Sequence, residues 1–298
     1  MYTYNQNQLL NYFSAVLQRN LTADAWNWLI ETTGKISTGD NAALFTAFSS
    51  AHRRTGKNTL QINKDEIEGI AQLVDNFSLH GYTAERLARV WVLLHWPTED
   101  RENYIKAVSE LFKAAEMNEL VALYGALPLF PFPEAWTAQC SEGIRSNIGS
   151  VLETVICNNP YPANYLSEPA WNQMVLKAFF TDKAVEQIIG LDERANKALA
   201  DTLFDYAHER WAAHRTFDLQ LWRLLSKFID AQSYADAERV LRDGSDLEQK
   251  AVALACSNSN YHLAKALLNS NPNLKSSIDS AQLTWNSLAM ELKGEILI

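Results

Sequence analysis

Apolar residues recur three and four positions apart along almost the whole chain, which is the period of an amphipathic α-helix. No segment alternates apolar and polar residues as a half-buried strand does. The pattern therefore predicts an all-α fold. The predicted helices cover residues 6–19, 22–33, 40–55, 64–76, 83–96, 99–115, 117–126, 134–157, 168–181, 193–214, 218–230, 233–242, 246–257 and 260–269.

Residues that commonly begin and end helices support these boundaries. Ser and Thr side chains at the starts predict N-caps at Thr22, Thr83, Ser233 and Ser245. Glycines at the ends predict stops at Gly34, Gly56 and Gly244. Proline-rich stretches at 128–133 and 158–162 predict corners, because a proline lacks the N–H that a continuing helix needs.

The last third of the chain has shorter helical segments, at 234–241, 247–256 and 261–268, with brief turns between them. Short antiparallel helices in this rhythm are typical of layered helical hairpins, as in α-solenoids, although no strict repeat is present. We therefore expect one elongated, α-solenoid-like domain over residues 1–298, with residues 226–298 as its C-terminal hairpin part.

Composition narrows the class of protein. The 35 acidic and 26 basic residues give a net charge of −9, which argues against a nucleic-acid binder. The sequence contains no run of about 18 apolar residues, so it predicts no transmembrane helix. Met1–Gln8 lacks the pattern of a secretory signal. Cys140, Cys157 and Cys256 form no C-x-x-C pair, which favours a reducing compartment. These features predict a cytoplasmic protein.

Several familiar catalytic and metal sites are incomplete. Gly56-Lys57 lacks the upstream glycine of a phosphate-binding loop, and Ala212 stands where a zinc-binding H-E-x-x-H motif needs its second histidine. Asp201, Asp205 and His208 share a helix face, but no second helix offers matching ligands. The sequence favours a solvated polar face there and predicts neither a metal nor a cofactor.

Arg210 stands out because it falls on the expected packed face of the helix at 193–214, with Leu203, Tyr206 and Ala213. An unpaired buried guanidinium is very costly. Either a carboxylate from elsewhere in the fold or an anionic ligand must therefore neutralise it, and the sequence leaves both open.

The second group of cations lies near the end of the helix at 40–55. Arg53, Arg54 and Lys57 are consistent with favourable charges at a carbonyl-rich helix terminus. They are also consistent with a clamp for an anion.

Two further helices carry polar candidates. Asn147 is expected on the packed side of the helix at 134–157, where it either meets a ligand or satisfies an irregular turn. Gly143, one turn earlier, allows close approach, and Arg145 either pairs with Glu142 or binds a ligand.

The segment at 171–179 predicts a mainly structural helix with two polar candidates. Asn172 lies at the edge of its apolar face and Lys177 faces away from it. Nearby, Tyr161, Tyr165 and Trp171 are close enough along the chain to form the floor of a pocket for a planar or isoprenoid ligand.

Seven blocks of this sequence, in one order, resemble the EboA family, which is named for a gene cluster implicated in metabolite traffic. They cover most of residues 40–225, the family-like core. The blocks are ALFTAFSSAHRRTGK (43–57), MNELVALYGAL (117–127), EGIRSN (142–147), NPYPANY (159–165), WNQMVLKAF (171–179), LDERAN (191–196) and DYAHERW (205–211).

The resemblance implies a part in moving or processing a small metabolite in bacteria and some algal plastids. It also implies partner proteins from the same cluster, which resemble a prenyltransferase and sugar-metabolism enzymes. No catalytic residue comes with the resemblance.

Three hypotheses follow. The favoured one is a helical binding or scaffold protein that holds a small anionic or isoprenoid-like metabolite and passes it to membrane-associated partners. The rival is a metal-independent transferase or hydrolase with His208 as base, oriented by Asp205. The third is a scaffold that binds only proteins. The favoured hypothesis uses seven ligand-binding residues: Arg53, Arg54, Arg145, Asn147, Asn172, Lys177 and Arg210.

Overall fold

The computed structural model describes residues 4–294, and within that range it is built of α-helices, short 3₁₀ turns and loops, without a β-strand. The all-α prediction is confirmed. The chain divides into two compact units, Met1–Ser167 and Glu168–Ile298, called unit 1 and unit 2 below. Residues 1–3, which belong to the segment used to predict the absence of a secretory signal, lie outside the described range.

Unit 1 consists of ten helices within its described residues. They are α1 (Gln6–Asn20), α2 (Ala23–Ile36), α3 (Asn41–Thr55), α4 (Lys64–Leu73), α5 (Ala84–Leu93), α6 (Arg101–Ala114), α7 (Met117–Gly125), α8 (Thr137–Arg145), α9 (Gly149–Ile156) and α10 (Tyr161–Tyr165).

Helix α5 is the centre of unit 1. Nine of its ten residues are buried, and it packs against α1, α2, α3 and α7. A helix that is apolar nearly all round must be enclosed by its neighbours. The two charged residues on its buried surface, Glu85 and Arg89, therefore need partners inside the protein.

Unit 2 contains eight helices in its described part. They are α11 (Glu168–Phe180), α12 (Lys197–Ala212), α13 (Leu221–Leu225), α14 (Ala231–Asp243), α15 (Asp246–Asn258), α16 (His262–Asn269), α17 (Pro272–Asp279) and α18 (Trp285–Leu292).

Helix α15 is the centre of unit 2. It packs against α13, α14, α16, α17 and α18, and its residues from Ala251 to Cys256 are all buried. Three of those six residues are alanines, whose small side chains let neighbouring helices come close. The helices α14 and α16, which the sequence predicts in the last third of the chain, thus pack on α15 together with α13, α17 and α18.

Most of the predicted helices are confirmed with shifts of a few residues at their ends, but the predicted helix at 218–230 shortens to α13, followed by a 3₁₀ turn at Ser226–Phe228. Thr22, Thr83 and Ser245 are N-caps. The prediction for Ser233 is wrong, because Asp230 caps α14. Gly34 does not end α2, which continues to Ile36. The predicted helix at 134–157 is two helices, separated at 146–148, where the hydroxyl of Ser146 accepts from the N–H of Ile148.

Three short helices, α10, α17 and α18, were not predicted. Helices α10 and α17 carry proline in the first turn, where it is compatible with a helix. The prolines at 158–162 predict a corner, and for this reason α10 was missed. No helix within residues 4–294 is long and apolar enough to cross a bilayer. That residues 1–298 form one solenoid-like domain stays a prediction.

Candidate functional site

The best candidate site in unit 1 is organised by a buried amide, Asn159, which is 4% exposed. Its Nδ2 donates to the carbonyl oxygens of Tyr124 at 3.1 Å and Thr154 at 3.0 Å, and its Oδ1 accepts from the N–H of Tyr161 at 3.0 Å. Buried polar groups are stable when they are hydrogen-bonded in this way. Asn159 therefore ties α7 and α9 to the start of α10.

The next residues place two tyrosine rings together. Tyr161 is fully buried, and its hydroxyl donates to the carbonyl oxygen of Pro133 at 2.5 Å. Burial raises the pKa of Tyr161, so its hydroxyl stays protonated and remains a donor. The ring of Tyr165, one helical turn later, lies 4.9 Å from that of Tyr161 between centroids, at 34°. This tyrosine pair is held in place from the Tyr161 side.

A cavity of about 230 Å³ opens beside this pair, and we call it the tyrosine cleft. Its floor is formed by α10 and its walls by the end of α4, the N-terminal segment and the first proline corner. The residues that line it are Tyr4, Leu73, Val74, Asp75, Pro128, Pro160, Tyr161, Asn164 and Tyr165.

The polar groups of the tyrosine cleft are few and of one charge sign. Asp75 and Asn164 are exposed, and neither side chain hydrogen-bonds to another residue in the described part of the chain. Burial, together with the carboxylate of Glu134, raises the pKa of Tyr165. Neither arginine nor lysine is among the lining residues. The cleft can therefore accept hydroxyl donors and pack flat apolar groups, but it offers no cation to an anionic group.

The sequence hypothesis of a buried guanidinium is realised at another residue, Arg89, which is 2% exposed. Its Nη1 lies 2.9 Å from Oε2 of Glu85 and its Nη2 lies 3.9 Å from Oε1 of Glu119. Its Nε donates to the carbonyl oxygen of Phe48 at 2.9 Å. Carboxylates of the fold neutralise this arginine, so it is structural. Its signal was the Glu85-x-x-x-Arg89 spacing in an apolar run, which the sequence analysis missed.

Arg210 does not lie in a packed seam, so that expectation is wrong. Its side chain is half-buried, and both Nε and Nη2 donate to the carbonyl oxygen of Thr216, with Nε at 2.7 Å. The apolar face of α12 does not continue beyond Arg210, because the helix ends at Ala212 and Ala213 is exposed. The chain then turns back at His214, whose φ is +54°, and so brings a loop carbonyl to the guanidinium.

Arg53 and Arg54 are exposed in the last turn of α3. The guanidinium of Arg54 lies 5.9 Å from the ring centroid of Trp28. Neither arginine forms an ion pair with a carboxylate of residues 4–294. With Gly56 ending the helix at a φ of +76°, this is the geometry of a charged helix terminus. A ligand-binding role for the two stays a prediction.

Arg145 and Asn147 lie at the break between α8 and α9. Arg145 pairs with Glu142 at 2.6 Å on an exposed surface. Asn147 is exposed, so its expected place on the packed side is wrong, because α8 ends at Arg145. The expected close approach at Gly143 is confirmed, since a Cβ there would lie 2.5 Å from Cε1 of Tyr124. Ligand-binding roles for Arg145 and Asn147 stay predictions.

In unit 2, Asn172 pairs with a second amide. The side chains of Asn172 and Asn196 exchange hydrogen bonds of 3.1 and 2.8 Å, and Asn196 also caps α12 through the N–H of Leu199. This pair joins α11 to α12. Lys177 is half-buried on α11, and its role in ligand binding, like that of Asn172, stays a prediction.

The carboxylate that reaches His208 is not the expected one. Nε2 of His208 lies 2.7 Å from Oδ2 of Asp236 on α14, and Arg239 pairs with the same carboxylate at 3.1 Å. The expectation that Asp205 orients His208 is wrong, because Asp236 of the neighbouring helix holds the ring and no hydrogen bond or ion pair among the described residues joins Asp205 to it. Across residues 4–294, no group of three or more His, Cys, Asp or Glu side chains is arranged to hold a metal ion.

Comparison with known proteins gives a family. A family model described as metabolite traffic protein EboA matches residues 9–226. The chain belongs to the EboA family. The match covers nearly all the residues that line the tyrosine cleft, with Tyr4 outside it. No curated protein matches the chain, and no solved structure matches it.

Proposed function

We propose that this EboA-family chain binds a small metabolite in the tyrosine cleft and passes it on to partner proteins. The family description supports a role in metabolite traffic. The observation that supports the proposal is the cleft itself. Asn159 fixes the tyrosine pair on its floor, and the side chains of Asp75 and Asn164 in its lining are available to hydrogen-bond to a ligand. Apolar surface with a few converging polar groups is the usual composition of a ligand site.

The lining favours one kind of ligand. Rings of Tyr161 and Tyr165 and the apolar side chains of the cleft suit a flat or isoprenoid-like body. The carboxylate of Asp75 can accept a hydrogen bond from a hydroxyl group, and the amide of Asn164 can both donate and accept hydrogen bonds. An anionic group placed here would meet Asp75 without a compensating cation. We therefore propose that the part of the metabolite inside the cleft is uncharged and carries a hydroxyl group.

The seven residues proposed from the sequence belong to a different hypothesis, in which five exposed or half-buried cations and two asparagines hold an anionic ligand. Because Arg210 does not line the tyrosine cleft, Arg210→Ala separates the two hypotheses. Binding through the tyrosine cleft predicts unchanged affinity in that variant, provided that it stays folded. A loss of affinity in a folded Arg210→Ala protein would favour the anionic ligand.

We also propose that handover takes place in the cytoplasm, to proteins encoded with this chain, including membrane-associated ones. The rival hypothesis of an enzyme has His208 as its base, and the exposed pairing of that residue with Asp236 and Arg239 brings no nucleophile to it. Retention of full cellular function by a His208→Ala variant would exclude that rival.

Native mass spectrometry of protein purified gently from its own host tests the proposed function. We expect a retained small molecule in the wild-type protein and its loss in Asn164→Trp, because a tryptophan at this exposed lining position fills the cleft. Asn147→Trp is the matched control, since Asn147 is exposed and outside the lining. Equal retention by all three proteins would refute binding in the cleft.

A further inference from the structure

Unit 2 alone forms a second cavity, of about 360 Å³, which we call the Gln220 pocket. Three segments surround it: the stretch from Asp182 to Glu186, the turn from Phe217 to Gln220, and the end of α18. The turn positions the polar groups that face the cavity, because it leads directly into the buried helix α13.

Gln220 has an unused acceptor in this wall. The residue is 1% exposed, and its Nε2 donates to the carbonyl oxygen of Trp285 at 3.3 Å. Its Oε1 is buried and receives no hydrogen bond from any residue that the structure describes. A buried amide oxygen is normally hydrogen-bonded to a donor. An unpaired acceptor in the wall of a cavity therefore indicates a ligand that carries a hydrogen-bond donor.

Asp218 adds a carboxylate next to that acceptor. Its Oδ1 accepts from the N–H of Gln220 at 2.8 Å and so holds the turn. Burial raises the pKa of Asp218, and the nearby carboxylates of Glu186 and Asp182 raise it further, while the N–H of Gln220 and the ammonium of Lys293 lower it. The two carboxylates therefore add negative charge close to Asp218.

The charged residues that line the pocket have a net negative charge. Asp182, Glu186 and Asp218 are set against two lysines, Lys183 and Lys293, which leaves one negative charge uncompensated. Lys293 lies 2.6 Å from Glu186 and is occupied by it. Phe217, Leu219 and Leu292 supply apolar walls.

We propose that the Gln220 pocket binds a primary ammonium group carried on a short apolar chain or ring. The ammonium has three N–H donors, which match the carboxylate of Asp218 and Oε1 of Gln220. Hydrogen bonds between a cation and a carboxylate are stronger than those between neutral groups. The apolar body packs against Phe217 and Leu292 at the cavity wall. This site is independent of the tyrosine cleft, which belongs to unit 1.

Calorimetric titration of the full chain with three probes of one size tests the proposal. Hexylammonium, 1-hexanol and hexanoate share an apolar chain and differ in the charge of the head group. We expect hexylammonium to bind at least about tenfold more tightly than hexanol, and hexanoate to bind more weakly than hexanol. Equal affinities for the three probes, or no binding of hexylammonium, would overturn the proposal.

Two substitutions in the Gln220 pocket test whether hexylammonium binds there. Asp218→Asn keeps an Oδ1 acceptor for the turn and removes the charge, so hexylammonium should bind about tenfold more weakly while hexanol is unaffected. Leu292→Trp, at an exposed rim position, should weaken both probes by filling the pocket, and it decides the question if Asp218→Asn does not fold.

Two controls separate this site from others. Asp279→Asn removes an exposed carboxylate that pairs with Lys275 outside the pocket, and it should leave hexylammonium binding unchanged. Asn164→Trp, which fills the tyrosine cleft, should also leave it unchanged. Loss of hexylammonium binding in Asn164→Trp, or its retention in both pocket variants, would refute the Gln220 pocket.

Discussion

The side-chain amide of Asn159 donates a hydrogen bond to the carbonyl oxygen of Tyr124 over 3.1 Å. That carbonyl lies in the last turn of α7, where backbone oxygens lack partners within the helix. The side chain of Asn159 thus hydrogen-bonds to a carbonyl at the end of α7 and also accepts from the N–H of Tyr161, the first residue of α10. The position of the tyrosine cleft depends on this bond.

Replacing that amide should destabilise unit 1. Asn159→Ala leaves the carbonyl oxygens of Tyr124 and Thr154 and the N–H of Tyr161 without their partner, and we expect a loss of about 3 kcal/mol in the free energy of unfolding. Urea unfolding measures it. Asn147→Ala is the control, because that exposed side chain should change stability by less than about 0.5 kcal/mol. Equal stability of the two variants would contradict this role for Asn159.

The ion group around Arg89 should behave very differently from a surface pair. Arg89→Met leaves Glu85 and Glu119 buried without a cation, which should cost about 3–5 kcal/mol. Adding Glu85→Gln should recover part of the loss. Arg145→Met breaks the exposed pair with Glu142 and should cost less than about 1 kcal/mol. Denaturant titration of the three variants would refute this account if all of them lost the same amount.

Close packing at one glycine gives a third prediction. A Cβ at Gly143 would lie 2.5 Å from Cε1 of Tyr124 and 2.8 Å from Cγ2 of Val155, so Gly143→Ala should destabilise the protein by about 1–3 kcal/mol. Gly34→Ala is the matched control within a helix, since a Cβ there meets nothing within 4 Å. It should stabilise by about 0.5–1 kcal/mol. A thermal-unfolding comparison in which both changes have the same sign would contradict the packing.

Burial should also make the cysteines unreactive. It raises the pKa of Cys140 and Cys256 to about 12, and the thiolate is the reactive form, so each is about 10⁻⁴ ionised at pH 8. We expect iodoacetamide to modify these residues in concentrated urea but not in the native protein, as measured by peptide mass spectrometry. Rapid native labelling of Cys140 would show that its surroundings open to solvent.

The sequence predicted the fold class because the helical period depends on local spacing, which the chain itself displays. It failed where a local turn competes with the helical period and where distant residues decide the outcome. The split of the segment at 134–157 and the exposure of Asn147 follow from a local turn at Ser146, which competes with an otherwise continuous apolar face. Periodicity does not detect that competition.

The candidate site was partly within reach of the sequence. The sequence predicts a pocket floor from Tyr161, Tyr165 and Trp171. The two tyrosines line the tyrosine cleft, whereas Trp171 is fully buried and is not among its lining residues. Asp75 and Tyr4 come from distant parts of the chain, so no local pattern could place them there. The helical period places Arg210 on a packed face although α12 ends two residues later, whereas the buried arginine of the fold is Arg89, inside the apolar run of α5.

The most direct measurement is calorimetric titration of the compound extracted from the wild-type protein back onto ligand-free wild-type protein, Tyr165→Ala and Asn147→Trp. If the metabolite lies against the tyrosine pair, Tyr165→Ala should bind at least about tenfold more weakly, while Asn147→Trp should bind as the wild type does. Equal affinity of a folded Tyr165→Ala protein and the wild type would contradict the proposal that the tyrosine cleft is where this chain holds its metabolite.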